Sequence, residues 1–139
     1  KRAAAGLQIV PARNSYRACL AVLKKGGLLG FILDQNMIAA EGIFVNFFGR
    51  PACTTPGLAM LAGHAQAPIV PVFMFRRPDG GQVVRMLPAL PPPPDRTPEA
   101  LAATTQACTA IIEQQVREHP DQWIWMHRRW RTQPPAQKG

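Results

Sequence analysis

The spacing of apolar and polar positions in this chain predicts three helices with well-marked ends. Ser15–Lys25 carries apolar residues at helical spacing and runs into two glycines, a sequence typical of a helix terminus. Thr55-Pro56 and Thr97-Pro98 each place an N-capping residue before a proline at the first helical position. They predict two more helices, the second of which continues to about Arg117.

Short apolar runs between turn residues predict strands. Leu28–Leu33 has no polar position, which is typical of a strand buried on both faces of a parallel sheet. Ile69–Arg76 and Gln82–Leu87 flank the turn sequence Pro-Asp-Gly-Gly and predict an antiparallel hairpin. Leu7–Val10 predicts a further strand. We therefore expect an α/β fold with a mixed, mainly parallel sheet flanked by helices.

The remaining segments predict connections and one last short helix. Asn36–Gly49 is typical of a long loop, with a brief extended piece at Ile43–Phe47. Pro91–Pro94 predicts a stiff connector. Asp121–Arg131 predicts a short helix, and Thr132–Gly139 a polar tail.

Composition narrows the possible partners. The 139 residues are 47% hydrophobic, enough for one domain with a buried core. Sixteen Lys and Arg against eight Asp and Glu give a net charge of +8, which favours nucleic acid, anionic lipid or a phosphorylated substrate. The three cysteines and three histidines form no metal-binding pattern, so no metal is expected. No apolar run reaches the roughly 18–20 residues of a membrane span.

Two segments carry candidate binding residues. Asp34 and Gln35 follow a predicted buried strand, where ligands gather in open α/β sheets, although Asp34 can equally cap the loop. Arg50 precedes the predicted helix start at Thr55-Pro56, where backbone N–H groups favour an anion, and Thr54 and Thr55 add hydroxyl donors. This is either a phosphate site or a capped helix beside a surface arginine.

The segment His119–Arg131 combines three tryptophans with three arginines, as membrane interfaces and nucleic-acid surfaces do. At helical spacing Trp123, Met126 and Trp130 share one face, so a helix docked on the core is the alternative. No histidine has an acidic residue five positions after it. The residues at that distance from His64, His119 and His127 are Ile69, Ile124 and Thr132.

Taken together, these motifs resemble the lysophospholipid acyltransferase superfamily, specifically its lipid A late-acyltransferase branch, over roughly residues 7 to 131. The matching pieces are Leu33-Asp34-Gln35, Gly42–Val45, Phe47–Pro51 with Thr54, Ala67–Val72, and the closing block His119–Trp130.

The resemblance implies a glycerol-phosphate-acyltransferase-like fold, here incomplete at its N-terminal side. Residues 1–131 would be the C-terminal part of a single acyltransferase domain and 132–139 a polar tail. It also implies transfer of a fatty acyl chain from acyl carrier protein or acyl-CoA to a lipid A precursor. The enzyme would work at the cytoplasmic face of the bacterial inner membrane without metal or organic cofactor. Its catalytic histidine, followed after four residues by an acid, would precede this chain, which then holds no catalytic residue.

By position, the resemblance implies binding roles for seven residues. Asp34 and Gln35 would lie beside the acceptor pocket. Arg50, Thr54 and the adjacent Thr55 would hold a phosphorylated glycolipid or the phosphopantetheine of the carrier. The remaining two, Arg128 and Arg129, would face anionic headgroups or the acidic carrier protein.

Three other readings of the sequence stay open. One is an acyltransferase for another glycolipid or an aminolipid. A second is a basic nucleic-acid-binding module, although no recognised motif supports it and aromatic residues are only 7% of the chain, so no nucleic acid is expected. The third is a folded remnant without activity.

Overall fold

A computed structural model describes residues 6–10 and 15–135, which fall into two compact units divided after Phe31. The first unit contains helix α1, Ser15–Lys24, as predicted. The helix ends where Gly26 adopts a φ of +76° and the N–H of Gly27 returns to the carbonyl of Val22 over 3.0 Å.

The described residues of the second unit form two β-hairpins, two α-helices and one 3₁₀-helix. Its elements are β1 (Ile43–Phe47), β2 (Arg50–Thr54), α2 (Gly57–Ala65), β3 (Val72–Arg76), β4 (Gln82–Met86), α3 (Pro98–Glu118) and the 3₁₀-helix Pro120–Gln122. Strand β1 pairs with β2 and β3 with β4, both antiparallel. A small core of Leu33, Ala62, Ile69 and Cys108 lies beneath α2 and α3.

The mixed α/β class is confirmed, but the predicted mainly parallel sheet is wrong. All strand pairs among the described residues are antiparallel. Leu28–Leu33 forms no strand, and Leu28 is 98% exposed while only Leu33 is buried. The predicted strand Leu7–Val10 is also absent. An apolar run becomes a strand only where a neighbour pairs its backbone N–H and C=O groups, and no described segment does so here.

The capping signals place the start of α3 correctly and that of α2 to within one residue. Thr97 caps α3, with its Oγ1 accepting from Ala100 N over 3.3 Å and Pro98 as the first helical residue. At α2 the prediction is off by one residue. Pro56 is the N-cap, and Thr55 Oγ1 instead accepts from Gly57 N over 3.1 Å.

The extended piece predicted at Ile43–Phe47 is confirmed as β1, whereas β2, which follows the predicted loop Asn36–Gly49, was not predicted. Phe48 and Gly49 join β1 to β2 with φ angles of 55° and 74°, the left-handed conformation of a two-residue type I′ hairpin turn. Glycine adopts this conformation without strain, whereas Phe48 does so at a cost. The turn reverses the chain so that Arg50 lies opposite Phe47.

The predicted helix Asp121–Arg131 is wrong. Only the 3₁₀-helix is regular, and turns follow it. Met126 is 91% exposed, so it shares no buried face with Trp123 and Trp130. Those two rings instead pack against Phe47 of β1. The backbone that carries them forms turns rather than a helix. No helix among the described residues is long and apolar enough to cross a bilayer.

Candidate functional site

Phe47, at the end of β1, is the centre of an aromatic cluster that includes tryptophans of the C-terminal block. Its ring is 1% exposed, meets Trp123 edge-on at 5.4 Å between centroids and stacks on Trp130 at 5.6 Å. Phe48 and Trp125 extend the cluster outward, with their ring centroids 6.1 Å apart. The C-terminal block is therefore held to the first hairpin by ring packing.

Arg129 is the most deeply enclosed charged residue of the described part of the chain. It is 1% exposed, and its Nη1 donates to the carbonyl of Cys53 over 2.8 Å while Nη2 donates to Thr54 Oγ1. Its Nε has no hydrogen-bond partner in the structure. Burial lowers the pKa of the Arg129 guanidinium from its ordinary value, and the negative charge of Asp34 opposes that shift. Arg129 nevertheless stays protonated, because its ordinary pKa is so high.

Arg129 brings two other predicted site residues together. Thr54 is fully buried, accepts from Arg129 and donates to the carbonyl of Ala52 over 3.1 Å. Asp34 is close enough to interact electrostatically with Arg129 but forms no ion pair with it. A side chain as enclosed as that of Arg129 is not a surface arginine, so the expectation that it faces headgroups does not fit its position.

Asp34 has one carboxylate oxygen engaged and one available. Trp123 Nε1 donates to Oδ2 over 3.2 Å, which fixes the carboxylate against the C-terminal block. Oδ1 has no hydrogen-bond partner among the residues that the structure describes. An ionised carboxylate oxygen can accept from a hydroxyl or an N–H group of a ligand.

That carboxylate borders a cavity of about 120 Å³ between the second hairpin and the C-terminal half of α3. Most of its wall is apolar, and Asp34, Gln115, His119 and Gln122 supply the polar groups. The apolar lining residues are Phe73, Met74, Phe75, Ile112, Val116 and Trp123. An apolar pocket with a few polar groups is the usual form of a small-ligand site.

His119 shares this cavity with Asp34, although 85 positions separate them in the sequence. Its ring lies 4.2 Å from that of Phe75, between centroids. Neither ring nitrogen hydrogen-bonds to any part of the chain that the structure describes. Gln115 and Gln122 are engaged elsewhere, with Arg85 and with the backbone of Arg76. Asp34 and His119 are thus the two polar groups of the cavity that remain available to a ligand.

Arg50 lies at the other end of β2 from Thr54, and this separates the two halves of the predicted phosphate site. Four residue steps of about 3.3 Å put their Cα atoms roughly 13 Å apart. The Arg50 guanidinium lies over the ring of Trp130, 5.2 Å from its centroid, and no described carboxylate pairs with it. Arg50 and the start of α2 therefore do not form one joint site.

The other predicted residues lie at the edges of this region. Gln35 and Arg128 are exposed, and Thr55 is half-buried at the start of α2. Arg128 accepts from Arg131 N through its carbonyl over 3.1 Å, in the turn that carries Trp130. Arg50 therefore packs against this turn through the ring of Trp130.

Sequence reasoning missed the residues that hold Asp34 in place. Asn36 exchanges hydrogen bonds with Thr132, whose Oγ1 also donates to the carbonyl of Met37 over 2.7 Å. Thr132 was predicted to begin a polar tail, yet it is attached to the loop after Asp34; residues 136–139 of that tail lie outside the described residues. The spacing pattern carries no signal for such contacts, which join positions 96 residues apart.

The sequence itself was compared with known proteins. A family profile for the bacterial lipid A biosynthesis acyltransferases matches residues 1–132. The chain belongs to this family. It is 33% identical over 126 residues to the lipid A biosynthesis lauroyltransferase of Escherichia coli strain K12, covering 88% of this chain and 40% of that protein.

Two further relatives show how broad the acyltransferase family is. The palmitoleoyltransferase of lipid A biosynthesis from the same E. coli strain is 31% identical over 124 residues, covering 88% of this chain and 39% of that protein. The phosphatidylinositol mannoside acyltransferase of Mycobacterium tuberculosis H37Rv is 26% identical over 132 residues, covering 93% and 40%. The chain thus spans about 40% of the length of these curated relatives.

Proposed function

We propose that the chain is part of an enzyme that transfers a fatty acyl chain from acyl carrier protein or acyl-CoA to a hydroxyl of a lipid A precursor. The enzyme works at the cytoplasmic face of the bacterial inner membrane. Residues 1–131 belong to a single acyltransferase domain, and 132–139 form a tail whose first residue, Thr132, is hydrogen-bonded to the loop after Asp34. The three relatives are acyltransferases, which supports the reaction class, and two of them act in lipid A biosynthesis.

The cavity beside Asp34 is the observation that carries this proposal. Its apolar wall suits the hydrocarbon part of a lipid, and the available Asp34 Oδ1 suits the hydroxyl of a sugar. The Trp123 hydrogen bond fixes the carboxylate in advance, so little ordering is needed on binding. In this assignment Asp34 binds the acceptor, and the exposed Gln35 follows it in the chain.

Arg50 is assigned to the phosphate of the acceptor or of the phosphopantetheine. Its five N–H donors have no carboxylate partner among the described residues, and Trp130 supports the guanidinium from below. Arg128 lies in the turn next to Trp130 and adds positive charge. Thr54 and Arg129 act from inside, where they hold the end of β2 and keep a positive charge near Asp34. Thr55 holds the start of α2.

We assign the catalytic base to a histidine–acid pair outside these 139 residues. A sugar hydroxyl needs a positioned base, and the three histidines here lack the expected acid at the required spacing. The shared cavity of Asp34 and His119 is the alternative, since an acid and an imidazole there could act as a pair formed in space.

Binding of a lipid A precursor to the full chain tests the acceptor assignment. Asp34→Asn keeps the shape and removes the charge, and Arg50→Ala removes the guanidinium. A charge-assisted hydrogen bond contributes about 1.5–3 kcal/mol, so each change should weaken binding roughly tenfold to hundredfold. Arg77→Ala is the matched control, because Arg77 is exposed and paired with Asp79 at the far turn. Unchanged affinity for both site variants contradicts the proposal.

Two arms of the experiment separate the remaining assignments. The Arg50 effect should disappear with a dephosphorylated precursor, whereas the Asp34 effect should persist. Incubation of the chain with an acyl carrier protein donor and the precursor should give no turnover. Turnover that is lost in His119→Gln would instead show that the base lies within this chain.

A further inference from the structure

One face of the second hairpin is apolar and uncovered. In the β3–β4 register Val72 lies opposite Met86 and Met74 opposite Val84, and residues opposite each other share a face. These four side chains, here called the outer face, are between 51% and 70% exposed. A contiguous exposed apolar patch is a candidate interaction surface.

Arg85 departs from the polarity expected for a hairpin with one face in water, although it shares its face with Phe73, Phe75 and Val83. Arg85 points inward, where Nη1 contacts Gln115 Oε1 and Glu118 Oε2, both over 3.2 Å. Its guanidinium also lies over the ring of Phe75, 4.9 Å from the centroid. A hairpin with one face in water places its polar residues outward. Here the charged residue of β4 faces α3, while Val84 and Met86 on either side of it face away.

The outer face is continuous with the cavity beside Asp34. Met74 belongs to the outer face, is 68% exposed, and also lines that cavity together with Phe73 and Asp34. A hydrocarbon chain lying along the outer face would therefore meet the Asp34 cavity at Met74.

Positive charge borders the same face. Arg76 ends β3 and is exposed, and its side chain has no carboxylate partner in the described part of the chain. The chain as a whole carries a net charge of +8. Apolar residues flanked by arginine are typical of elements that rest on an anionic bilayer, where the guanidinium reaches the headgroups.

We propose that the outer face of the β3–β4 hairpin rests on the acyl-chain boundary of an anionic phospholipid bilayer, with Arg76 at the headgroups, and that the lipid acceptor enters the Asp34 cavity past Met74. The acceptor's route rests on the proposed function, whereas the bilayer contact is tested separately from it.

Vesicle binding by the full chain tests the contact. The probes are vesicles of phosphatidylglycerol with phosphatidylcholine, and vesicles of phosphatidylcholine alone. The parent chain should bind the anionic vesicles more tightly at low salt. Loss of two apolar contacts in the double variant Met74→Ser, Val84→Ser should weaken that binding at least about tenfold. The matched control is Ile124→Ser, Met126→Ser, which removes two side chains that are 70% and 91% exposed elsewhere, and it should bind like the parent.

A second measurement guards against misfolded variants. The three native cysteines are buried, so Val84→Cys can be labelled with an environment-sensitive fluorophore in the folded chain. Its emission should shift to the blue with anionic vesicles, whereas a label at Met126→Cys should not respond. No vesicle binding by the parent, or binding without a response at position 84, overturns the proposal. So does a hairpin variant that only converts an oligomer to a monomer, since a second copy then covers the face.

The two proposals can fail independently. Binding of dispersed lipid A precursor without vesicles reports on Asp34 and Arg50 alone. Retained precursor binding with unchanged vesicle affinity in the hairpin variant overturns only the bilayer contact.

Discussion

Trp123 Nε1 donates a hydrogen bond to Asp34 Oδ2 over 3.2 Å, although 89 residues separate the two in the chain. The contact fixes a carboxylate at the wall of the cavity and ties the C-terminal block to the loop after Leu33. It therefore has both a structural and a binding consequence, and each can be measured.

Trp123→Phe keeps the ring contact with Phe47 and removes the only described donor to Asp34. The change should lower the free energy of unfolding by about 1–3 kcal/mol, because a partly buried carboxylate loses its partner. Urea denaturation measures this. Trp125→Phe is the control, since its Nε1 donates only to the exposed carbonyl of Pro120. An equal loss of unfolding free energy in both variants would mean that the hydrogen bond to Asp34 does not stabilise the fold more than the one to Pro120.

Neighbouring arginines of opposite burial allow a sharp test of the role of Arg129. Arg129→Met removes two buried hydrogen bonds, to Cys53 and Thr54, each worth about 1.5–3 kcal/mol as bonds from a charged group. The hydrophobic replacement recovers part of this, so a net loss of about 2 kcal/mol is expected. Arg128→Met changes an exposed residue and should stay within about 0.5 kcal/mol. Thermal unfolding should give a lower melting temperature for Arg129→Met than for Arg128→Met. Similar melting temperatures would contradict the stabilising role of Arg129.

Glu113 should make stability depend on pH in the acid range. Burial alone would raise its pKa, but hydrogen bonds from Phe48 N and from Arg117 outweigh this and lower the pKa below its ordinary value of 4.5. A lowered folded-state pKa stabilises the fold above the unfolded value. That contribution is therefore complete above about pH 4.5–5 and is lost as the pH falls through the folded-state pKa.

The free energy of unfolding of the parent and of Glu113→Gln, measured between pH 6 and pH 3 in about half-unit steps, tests this. The parent should be more stable than Glu113→Gln at the upper end of this pH range. The difference in the free energy of unfolding between the two should shrink as the pH falls. A constant difference over the whole range would exclude ionisation of Glu113 as the cause.

Gly49→Ala should destabilise the first hairpin through backbone strain alone. An added Cβ meets no atom within 4 Å, but the φ of +74° is costly for alanine, by about 1–2 kcal/mol. Gly30→Ala is the control. It also meets no atom within 4 Å and has no positive φ, so it should be neutral or stabilise by up to about 1 kcal/mol. Chemical denaturation should show a lower free energy of unfolding for Gly49→Ala and an unchanged or higher one for Gly30→Ala. Two variants of equal stability would contradict the turn assignment.

Capping and turn residues correctly predicted those helices and hairpins whose ends depend only on a few neighbouring residues. Thr97 and Pro98 fix the start of α3, and the Pro-Asp-Gly-Gly turn fixes the hairpin of β3 and β4. Leu28–Leu33 could not be predicted in the same way, because a strand requires a pairing partner that the run itself does not specify. Its apolar character indicates burial but does not say where the backbone hydrogen bonds go.

The candidate site was only partly predictable for the same reason. Asp34 was singled out by its position after an apolar run, and it does border a cavity. Its neighbours Trp123 and His119 come from the far end of the chain, where helical periodicity suggested a continuous helix. The contacts of Trp123 and Arg129 favour turns there instead, and no spacing rule anticipates side-chain contacts across more than 70 residues.

The buried Arg129 also sets the order in which this part of the protein can mature during synthesis. β1, the type I′ turn and β2 leave the ribosome first, yet the guanidinium that joins the end of β2 is made 75 residues after Thr54. Until then the Cys53 carbonyl and the Thr54 hydroxyl lack that donor, and Phe47 lacks the stacked ring of Trp130, which is made one residue after Arg129. Contacts so distant in sequence form slowly, since a long loop must close before they gain anything. A nascent chain paused before Arg129 is made would therefore expose an aromatic hairpin, a natural target for chaperones.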